Sequence, residues 1–538
     1  MPGSNDEANP SKLRGSAVDG LGGWGNPVSP DSRLPKDAAS MPPSSQAALF
    51  ALAAWALSAL HYATFFDIEK PIFTDNRYFL YFAWRIAEGD IAHLELFDNK
   101  TFLSNFVGAA LYKIADTLGI DPLHFIRASM LALASLGGLL AYWVFRRIGQ
   151  GRIVVGFLGL FALLGFGILG ELPAVGNFPK LVMGLLIPAA ALSVARGWWF
   201  TAGVCGALAF MDWQVGALVG VASVATALLS KGNRVRSATR VIAGGLFGLA
   251  PFVLYFALNG ALGAAVEQTF GMALARASDS LETVSLSSRI GEMIWAAGKA
   301  DPDQRALMVI SLAGLPLSWA GCWHLRGTSA GRMLLTLSLA YTGLFVFSLN
   351  DFQRFGDFYV LMLISAFWLG ITWTGLLFLL EHRFGRDPGR RRVIAAVLLL
   401  ATGLAARPLL LRPPIDLRTK HVPQSVTLSD QRALAGALRE RIGDEPFIAL
   451  ASSEILFLMR QKSALPIIYL NVPSHVYNSR SPGEPIEETA ARLIEEVGPE
   501  RFIYPQRKPI ADRLEREYHL TTFQTPSGDY VVRIYERN

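Results

Sequence analysis

The sequence has little charge and almost no cysteine, and each shortage excludes a class of protein. Only 17% of its 538 residues are charged, whereas an ordinary soluble domain carries about 25%. Because the mean hydropathy is also +0.34, a purely soluble protein is excluded. The two cysteines, Cys205 and Cys322, both lie in apolar blocks. They exclude a disulfide framework and a thiolate metal cluster.

Basic residues outnumber acidic ones, yet this excess does not indicate a nucleic-acid partner. The formal net charge is +6 and the isoelectric point is about 9.2. Lys and Arg collect in the short cytoplasmic loops of membrane proteins, and here they fall in alternate connections such as 146–152, 231–240 and 383–392. The excess therefore indicates topology, with membrane lipids rather than nucleic acid around the protein.

Long apolar blocks occupy the middle of the chain. Each has about 18 to 22 residues, roughly what a helix needs to cross a hydrocarbon core about 30 Å thick. The sequence therefore predicts a polytopic α-helical membrane protein with about eleven spans. They are predicted near 46–64, 124–145, 153–170, 179–195, 198–212, 214–230, 241–258, 305–323, 333–349, 358–380 and 393–411.

The composition changes at both ends of the apolar region. Residues 1–45 are rich in Pro, Gly, Ser and Asp, which predicts a disordered cytoplasmic tail. Residues 46–411 form the predicted transmembrane domain, with long outer loops at 66–123 and 259–304. From 416 to 538, helical stretches alternate with short β-rich runs, so we expect a soluble α/β domain on the opposite, periplasmic side of a bacterial inner membrane.

Specific strands can be predicted within this C-terminal segment. The β-rich runs lie at 447–452, 466–470, 501–506, 519–524 and 530–536. The segment contains neither of the glycine-rich phosphate-binding motifs GxGxxG and GxxxxGK[ST]. We therefore assign it no nucleotide site.

Polar side chains cluster in the first outer loop. Segments 76–87 and 101–115 are amphipathic, which predicts helices lying along the membrane surface. Asp75 lies at the entry of the first segment, and Asp98 and Lys100 lie at the entry of the second. Carboxylates at such positions often cap helix N-termini. Capping is therefore the structural alternative to a functional role for both aspartates.

Four stretches of the sequence resemble one family. They are TDNRYFLYFAWRIAEGD at 74–90, LFDNKTFL at 96–103, the span that opens with LHFIR at 123–127, and DFQRFGDFYVLML at 351–363. Together they are similar to the membrane-integrated glycosyltransferases of the GT-C fold, including the protein mannosyltransferase and lipid A aminoarabinose transferase branches. Lys-Thr-Phe at 100–102 stands where that family has Lys-Pro-Pro.

The resemblance implies a reaction and the residues that carry it. A sugar would pass with inversion from a polyprenyl-phosphate donor to a hydroxyl of a glycan, lipid or protein acceptor at the periplasmic face. Asp75 would be the base that takes the hydroxyl proton. Lys100 and Arg354 would bind the donor phosphate. Asp98 and Glu171 would bind acceptor or metal, since some GT-C branches use a divalent cation; no other cofactor is implied.

Other polar residues near the predicted outer surface carry two interpretations. Arg127, Asn177 and Asp357 are further site candidates. Lys100 and Arg127 also suit headgroup anchors whose long side chains reach the membrane surface. Arg354 and Asp357 are three residues apart, so they also suit a local ion pair.

Two other functions compete with sugar transfer. A secondary transporter or lipid flippase is the alternative, although such proteins place charges at the bilayer midplane and often contain an internal repeat. Here the charges gather in outer loops. A catalytically inactive scaffold that recruits partners through residues 416–538 is the third interpretation, and the presence of Asp75 and Lys100 argues against it.

Overall fold

The computed structural model describes most of the chain from residue 44 onward. The described residues are 44–73, 75–149, 151–164, 174–176, 179–230, 232–272, 319–323, 326–348, 425–443, 445, 447–469, 475, 478–479, 484–505, 510–525 and 528–538, with single positions at 374, 389, 393 and 396. Nearly all of the predicted tail 1–45 and of the predicted spans 358–380 and 393–411, and most of the predicted span 305–323 and of the outer loop 259–304, lie outside this set.

Helices are the main elements of the described part of the chain up to residue 348. They are α1 (Ser44–Ala63), α2 (Asn76–Ala87), α3 (Leu103–Thr117), α4 (Pro122–Ile148), α5 (Ile153–Leu164), α6 (Pro179–Arg196), α7 (Trp199–Asp212), α8 (Ala217–Leu228), α9 (Arg234–Leu258), α10 (Leu262–Val266) and α11 (Ser329–Ser348). Helices α2 and α3 match the amphipathic segments predicted in the first outer loop.

Three described helices are long and apolar enough to cross a membrane: Ser45–Ala63, Pro122–Ile148 and Arg234–Leu258. Shorter apolar helices lie at Ile153–Leu164, Leu181–Arg196, Trp199–Asp212, Gln214–Leu228 and Gly331–Ala340. These helices lie where the sequence predicts spans. The total of about eleven spans stays a prediction.

Local signals define where the long helices begin. Asp121 precedes α4, and its side chain accepts a hydrogen bond from the His124 N–H at 3.0 Å. Asn233 precedes α9 and accepts one from the Arg236 N–H at 3.0 Å. Such caps satisfy backbone donors that have no partner inside the helix. Both helices therefore start at a side chain suited to start them.

Helices α7 and α9 pack backbone against backbone. A Cβ atom added at Gly203 would lie 1.9 Å from the Val241 carbonyl oxygen, and one at Gly244 would lie 2.0 Å from the Phe200 carbonyl oxygen. Small residues allow this close approach, which stabilises helix pairs where a hydrophobic driving force is weak. The glycines thus fix the separation of two helices whose ends border the first outer loop.

A four-stranded sheet and its helices form the described C-terminal part. The elements are α12 (Leu428–Ile442), β1 (Phe447–Ala449), α13 (Ser453–Met459), α14 (Ile486–Val497), β2 (Arg501–Ile503), α15 (Asp512–Glu517), β3 (Tyr518–Gln524) and β4 (Val531–Arg537). The strand order is β1-β2-β4-β3. Strand β1 is parallel to β2, whereas β4 is antiparallel to both of its neighbours.

One predicted strand is wrong. Residues 466–469, the described part of the run 466–470, form no strand. The Pro466 carbonyl instead accepts a hydrogen bond from the Phe97 N–H at 3.0 Å. A contact with the first outer loop has therefore replaced the sheet pairing that the β-rich composition predicts.

The C-terminal part is fastened to the first outer loop, and both belong to the compact unit Phe50–Asn538. The Gln431 side chain accepts from the Ile72 N–H at 2.7 Å and donates to the Ile72 carbonyl at 2.9 Å. Arg432 contacts Asp121 at 2.6 Å. The buried Asp90 contacts both Arg85 and Lys462. These bonds hold the C-terminal part beside the loop that carries the predicted site.

Candidate active site

Asp75 directly precedes α2, at the position where a helix cap would lie. Its φ of −66° and ψ of −17° are already helical, and its side chain makes no capping hydrogen bond. The carboxylate accepts a hydrogen bond from the Tyr78 hydroxyl at 2.6 Å. Burial, together with the charge of Asp75, raises the pKa of Tyr78 well above its ordinary value, so this hydroxyl keeps its proton. The capping alternative for Asp75 is wrong.

Asp98 is buried, with 3% of its surface exposed. Its carboxylate accepts a hydrogen bond from the Lys100 N–H at 3.1 Å. Helix α3 begins only at Leu103, with Phe102 at the cap position. Asp98 therefore stabilises a turn before the helix, and the prediction that it caps the helix is wrong.

The electrostatics of Asp98 connect three of the predicted residues. Burial raises the pKa of Asp98 to about 6, opposed by the positive charge of Lys100 and reinforced by the negative charge of Asp75. The geometry agrees, because the Lys100 N–H donates to Asp98 at 3.1 Å and the Lys100 Nζ atom is 5.4 Å from the ring of Phe79, four residues after Asp75. The structure therefore brings together Asp75, Asp98 and Lys100, which come from two separate segments of the loop.

Lys100 lies between aromatic rings from two elements. Its Nζ atom is 5.4 Å from the centre of the Phe79 ring on α2 and 5.9 Å from the Trp213 ring, just beyond the end of α7. Both distances are typical of cation–π contacts. The rings hold the ammonium group at the entry of the second amphipathic segment, and headgroup anchoring stays the alternative interpretation of Lys100.

Arg127 has a positioning role that the sequence did not predict. It is fully buried, and its guanidinium donates to the carbonyls of Lys70 at 2.6 Å, Pro71 at 3.4 Å and Val175 at 3.3 Å. A fully buried side chain does not reach the membrane surface, so the headgroup-anchor alternative is wrong for Arg127. It instead fixes the backbone that leads to Asp75.

His93 and Gln268 attach a third segment to the site. Gln268 lies in the π-helical turn Glu267–Gly271, and its side-chain oxygen is 2.8 Å from His93 Nδ1 and 3.4 Å from the Asp98 N–H that donates to it. The Gln268 amide also donates to the His93 carbonyl at 2.9 Å. Burial lowers the pKa of His93 to about 4, so the ring is neutral at pH 7.

These contacts all lie at one end of the helical bundle. The His93 ring is 5.3 Å from that of Phe256, in the last turn of α9. Trp213 follows α7, and Arg127 lies in the second turn of α4. The C-terminal ends of α7 and α9 and the N-terminal end of α4 therefore surround the loop.

The remaining predicted residues lie outside the described part of the chain. They are Glu171, Asn177, Arg354 and Asp357, and their roles stay predictions. Among the described residues, no group of three or more His, Cys, Asp or Glu side chains is arranged to hold a metal ion.

Sequence reasoning missed the hydrogen bond from Tyr78 to Asp75 and the electrostatic interaction between Arg77 and Glu454. Tyr78 is three residues after Asp75 at a helix start, and this spacing was a usable signal because such residues share one face. Glu454 lies in the C-terminal part, and its charge acts on Arg77. No pattern in the sequence links these two segments.

Comparisons with known proteins agree with this architecture at the level of the fold. No protein-family model and no curated protein matches the sequence. The structure of ArnT from Cupriavidus metallidurans bound to undecaprenyl phosphate matches with a TM-score of 0.56 and 13% identity, over 92% of this chain and 98% of that one. ArnT is a GT-C glycosyltransferase. The chain described here has the GT-C fold.

A second structure has the same fold. The archaeal oligosaccharyltransferase AglB from Archaeoglobus fulgidus, in complex with an inhibitory peptide and a dolichol-phosphate, matches with a TM-score of 0.52 and 13% identity. The match covers 91% of this chain and 74% of AglB. The GT-C fold confirms the resemblance drawn from the four sequence stretches. Three of the described helices are also long and apolar enough to cross a membrane.

Proposed function

We propose that this protein is an inverting glycosyltransferase that moves a sugar from a polyprenyl-phosphate donor to a hydroxyl acceptor. The gathering of Asp75, Asp98 and Lys100 at one end of a GT-C bundle carries this proposal. ArnT binds undecaprenyl phosphate and AglB binds a dolichol-phosphate in structures of the same fold. We place the reaction at the periplasmic face of a bacterial inner membrane, with the N-terminus cytoplasmic.

The position of the site suits a donor with a lipid tail. Lys100 lies beside the end of α7, and Arg127, at the start of α4, fixes the chain before Asp75. A lipid tail can stay among apolar helices while its phosphate reaches their ends, where water and a polar acceptor also arrive. The site thus meets both requirements of lipid-linked sugar transfer.

Asp75 acts as the general base in the proposed reaction. The acceptor hydroxyl gives its proton to the Asp75 carboxylate while its oxygen bonds to the anomeric carbon on the face opposite the phosphate. The bond between the anomeric carbon and the phosphate oxygen breaks, and polyprenyl phosphate leaves. Tyr78 orients the carboxylate through its 2.6 Å hydrogen bond. A positioned base of this kind contributes about 10² to 10⁴ in rate.

Cations stabilise the leaving group. Negative charge grows on the donor phosphate as the bond breaks, and a cation already held nearby lowers that barrier. Lys100 fills this role, with Arg354 as its proposed partner. Asp98 and Glu171 are proposed to bind the acceptor, which is a glycan, lipid or protein. With its pKa near 6, Asp98 carries a proton in part of the molecules near neutral pH and then donates a hydrogen bond to a hydroxyl oxygen.

The direct experiment combines product identification with substitution of the base. Mass spectrometry of envelope glycans and lipids, from cells with and without the protein, identifies the sugar that depends on it. We expect Asp75→Asn to abolish that product while the protein stays folded and membrane-inserted. Asp67→Asn, at an exposed position in the same loop, is the matched control and should retain the product. A full yield of product from Asp75→Asn would refute the assignment.

A further inference from the structure

Gln214 lies just beyond α7, beside the segment that carries Lys100. It is half-buried and is the first residue of the short 3₁₀ helix Gln214–Gly216. Its side-chain amide donates a hydrogen bond to the Asn99 carbonyl at 2.6 Å. Asn99 is the residue before Lys100, so this bond holds the peptide unit that joins the two residues.

That peptide unit has a partner on each side. Its carbonyl accepts the bond from Gln214, and its N–H, which belongs to Lys100, donates to the Asp98 side chain at 3.1 Å. A peptide unit is planar and its N–H and carbonyl point in opposite directions. Two bonds on opposite edges therefore fix its orientation, and with it the direction in which the Lys100 side chain leaves the backbone.

Two other residues near the end of α7 contact the same segment. The Thr101 hydroxyl donates to the Phe210 carbonyl at 3.0 Å, and the centre of the Trp213 ring lies 5.9 Å from the Lys100 Nζ atom. Together with the bond from Gln214, these contacts hold the backbone on both sides of Lys100 and the ammonium group itself.

Gln214 is itself held by a third segment. Its amide nitrogen also donates to the Thr269 carbonyl at 3.3 Å. Thr269 is 3% exposed and lies in the π-helical turn Glu267–Gly271. A glutamine amide has two hydrogens to donate, and here both are used by backbone carbonyls from different segments. Bonds of this kind lock a side chain in one rotamer, which suits it to hold other groups in place.

We propose that Gln214 is a positioning residue that sets the place of the Lys100 ammonium group for the donor phosphate. This inference rests on the proposed function, in which Lys100 binds that phosphate. A cation stabilises the growing negative charge best when it is in place before the reaction, and a displacement of about 1 Å can cost about 10²-fold in rate. Gln214 acts through the backbone of Lys100 and not on the phosphate.

The test compares the binding of two lipids that differ only in the phosphate, undecaprenyl phosphate and undecaprenol. Native mass spectrometry of the full-length protein in detergent measures both. Gln214→Met keeps the length of the side chain and removes the donor. We expect it to weaken the binding of undecaprenyl phosphate about threefold to tenfold, with the binding of undecaprenol changed less than twofold. Equal losses for the two lipids would indicate a merely structural role and would overturn the proposal.

The Lys100→Met background tests whether Gln214 acts through Lys100. Lys100→Met alone should weaken the binding of undecaprenyl phosphate about tenfold or more, because it removes a charged partner of the phosphate. Adding Gln214→Met to that variant should change the binding less than twofold, because the two residues act as one unit. Losses that multiply in the double variant would contradict the proposal.

A matched control and a second variant complete the experiment. Gln461 also donates to a backbone carbonyl, that of Gly443 at 3.0 Å in the C-terminal part, and Gln461→Met should bind both lipids normally. If Gln214→Met does not fold, Gln214→Asn replaces it, since it keeps an amide on a side chain one carbon shorter. Normal binding of undecaprenyl phosphate by the folded variant would overturn the proposal.

Failure of this inference is distinct from failure of the proposed function. If Lys100→Met binds undecaprenyl phosphate weakly while Gln214→Met binds it normally, only the inference falls. If Lys100→Met binds it normally, the proposed phosphate role of Lys100 falls, and with it the role of Gln214. Both lipid measurements are independent of turnover, so the product yield of Asp75→Asn tests the base assignment separately.

Discussion

The two ends of α2 both contact the C-terminal part, but the buried carboxylates near each end have different partners. Beyond its C-terminal end, Asp90 is 6% exposed and contacts two cations, Arg85 and Lys462. At its N-terminal end, burial raises the pKa of Asp98 to about 6 and the Asp75 charge adds to the shift. The ion pairs at the C-terminal end of α2 attach the outer loop to the C-terminal part of the chain. The other end holds carboxylates close together, which is typical of sites that move protons.

The largest expected effect, on the free energy of unfolding, comes from removing the Asp90 carboxylate at the C-terminal end of α2. Asp90→Asn leaves Arg85, itself 5% exposed, without its carboxylate, and we expect a loss of about 3–5 kcal/mol in the free energy of unfolding. Thermal unfolding in detergent measures it. Asp116→Asn removes a half-exposed pair with Arg460 and should cost less than about 1 kcal/mol. Equal losses in the two variants would contradict this account of Asp90.

A smaller free-energy change is expected from removing the charge of Lys100, near the N-terminal end of α2. Lys100→Met keeps the length and most of the ring contacts but removes the charge, so we expect product formation to fall about 10²-fold with little change in thermal stability. Lys113→Met, exposed on α3, should behave like the unmodified protein. Normal turnover by Lys100→Met would remove Lys100 from the proposed phosphate site.

The smallest effect concerns Asp98 and depends on pH. Its pKa is raised in the folded protein, so its carboxyl favours the folded loop below pH 4, and this contribution is lost as the pH rises through about 6. Asp98→Asn should therefore stabilise the loop by about 1–3 kcal/mol at pH 7 and remove its pH dependence. Hydrogen exchange of amides 96–103 between pH 4 and 7 measures the change. Faster exchange in Asp98→Asn at pH 7 would contradict the prediction.

Local patterns in the sequence predicted part of the site and the helices that frame it. The amphipathic periodicity predicted α2 and α3. The motif spacing selected Asp75, Asp98 and Lys100, which lie near one another in the structure. Contacts between distant segments were not predictable. Nothing local in the sequence indicates that Gln431 bonds to Ile72, and the β-rich run that begins at Pro466 is held by the outer loop instead of the sheet.

The burial of Arg127 was not predictable from the sequence either. An arginine near the end of an apolar helix commonly reaches the membrane surface, and that was its expected alternative role. Its environment is set by the carbonyls of Lys70, Pro71 and Val175, which come from two separate connections. Only the folded chain shows that these carbonyls converge.

The two hydrogen bonds between the Gln431 side chain and the Ile72 backbone have a consequence for protein engineering. One side-chain amide satisfies both backbone groups of Ile72, as a neighbouring strand would. A truncated protein without residues 425–538 would leave the N–H and the carbonyl of Ile72 without these partners, three positions before Asp75. Swapping this region between relatives should therefore succeed only when the incoming segment brings an equivalent amide, so the two halves are not interchangeable modules.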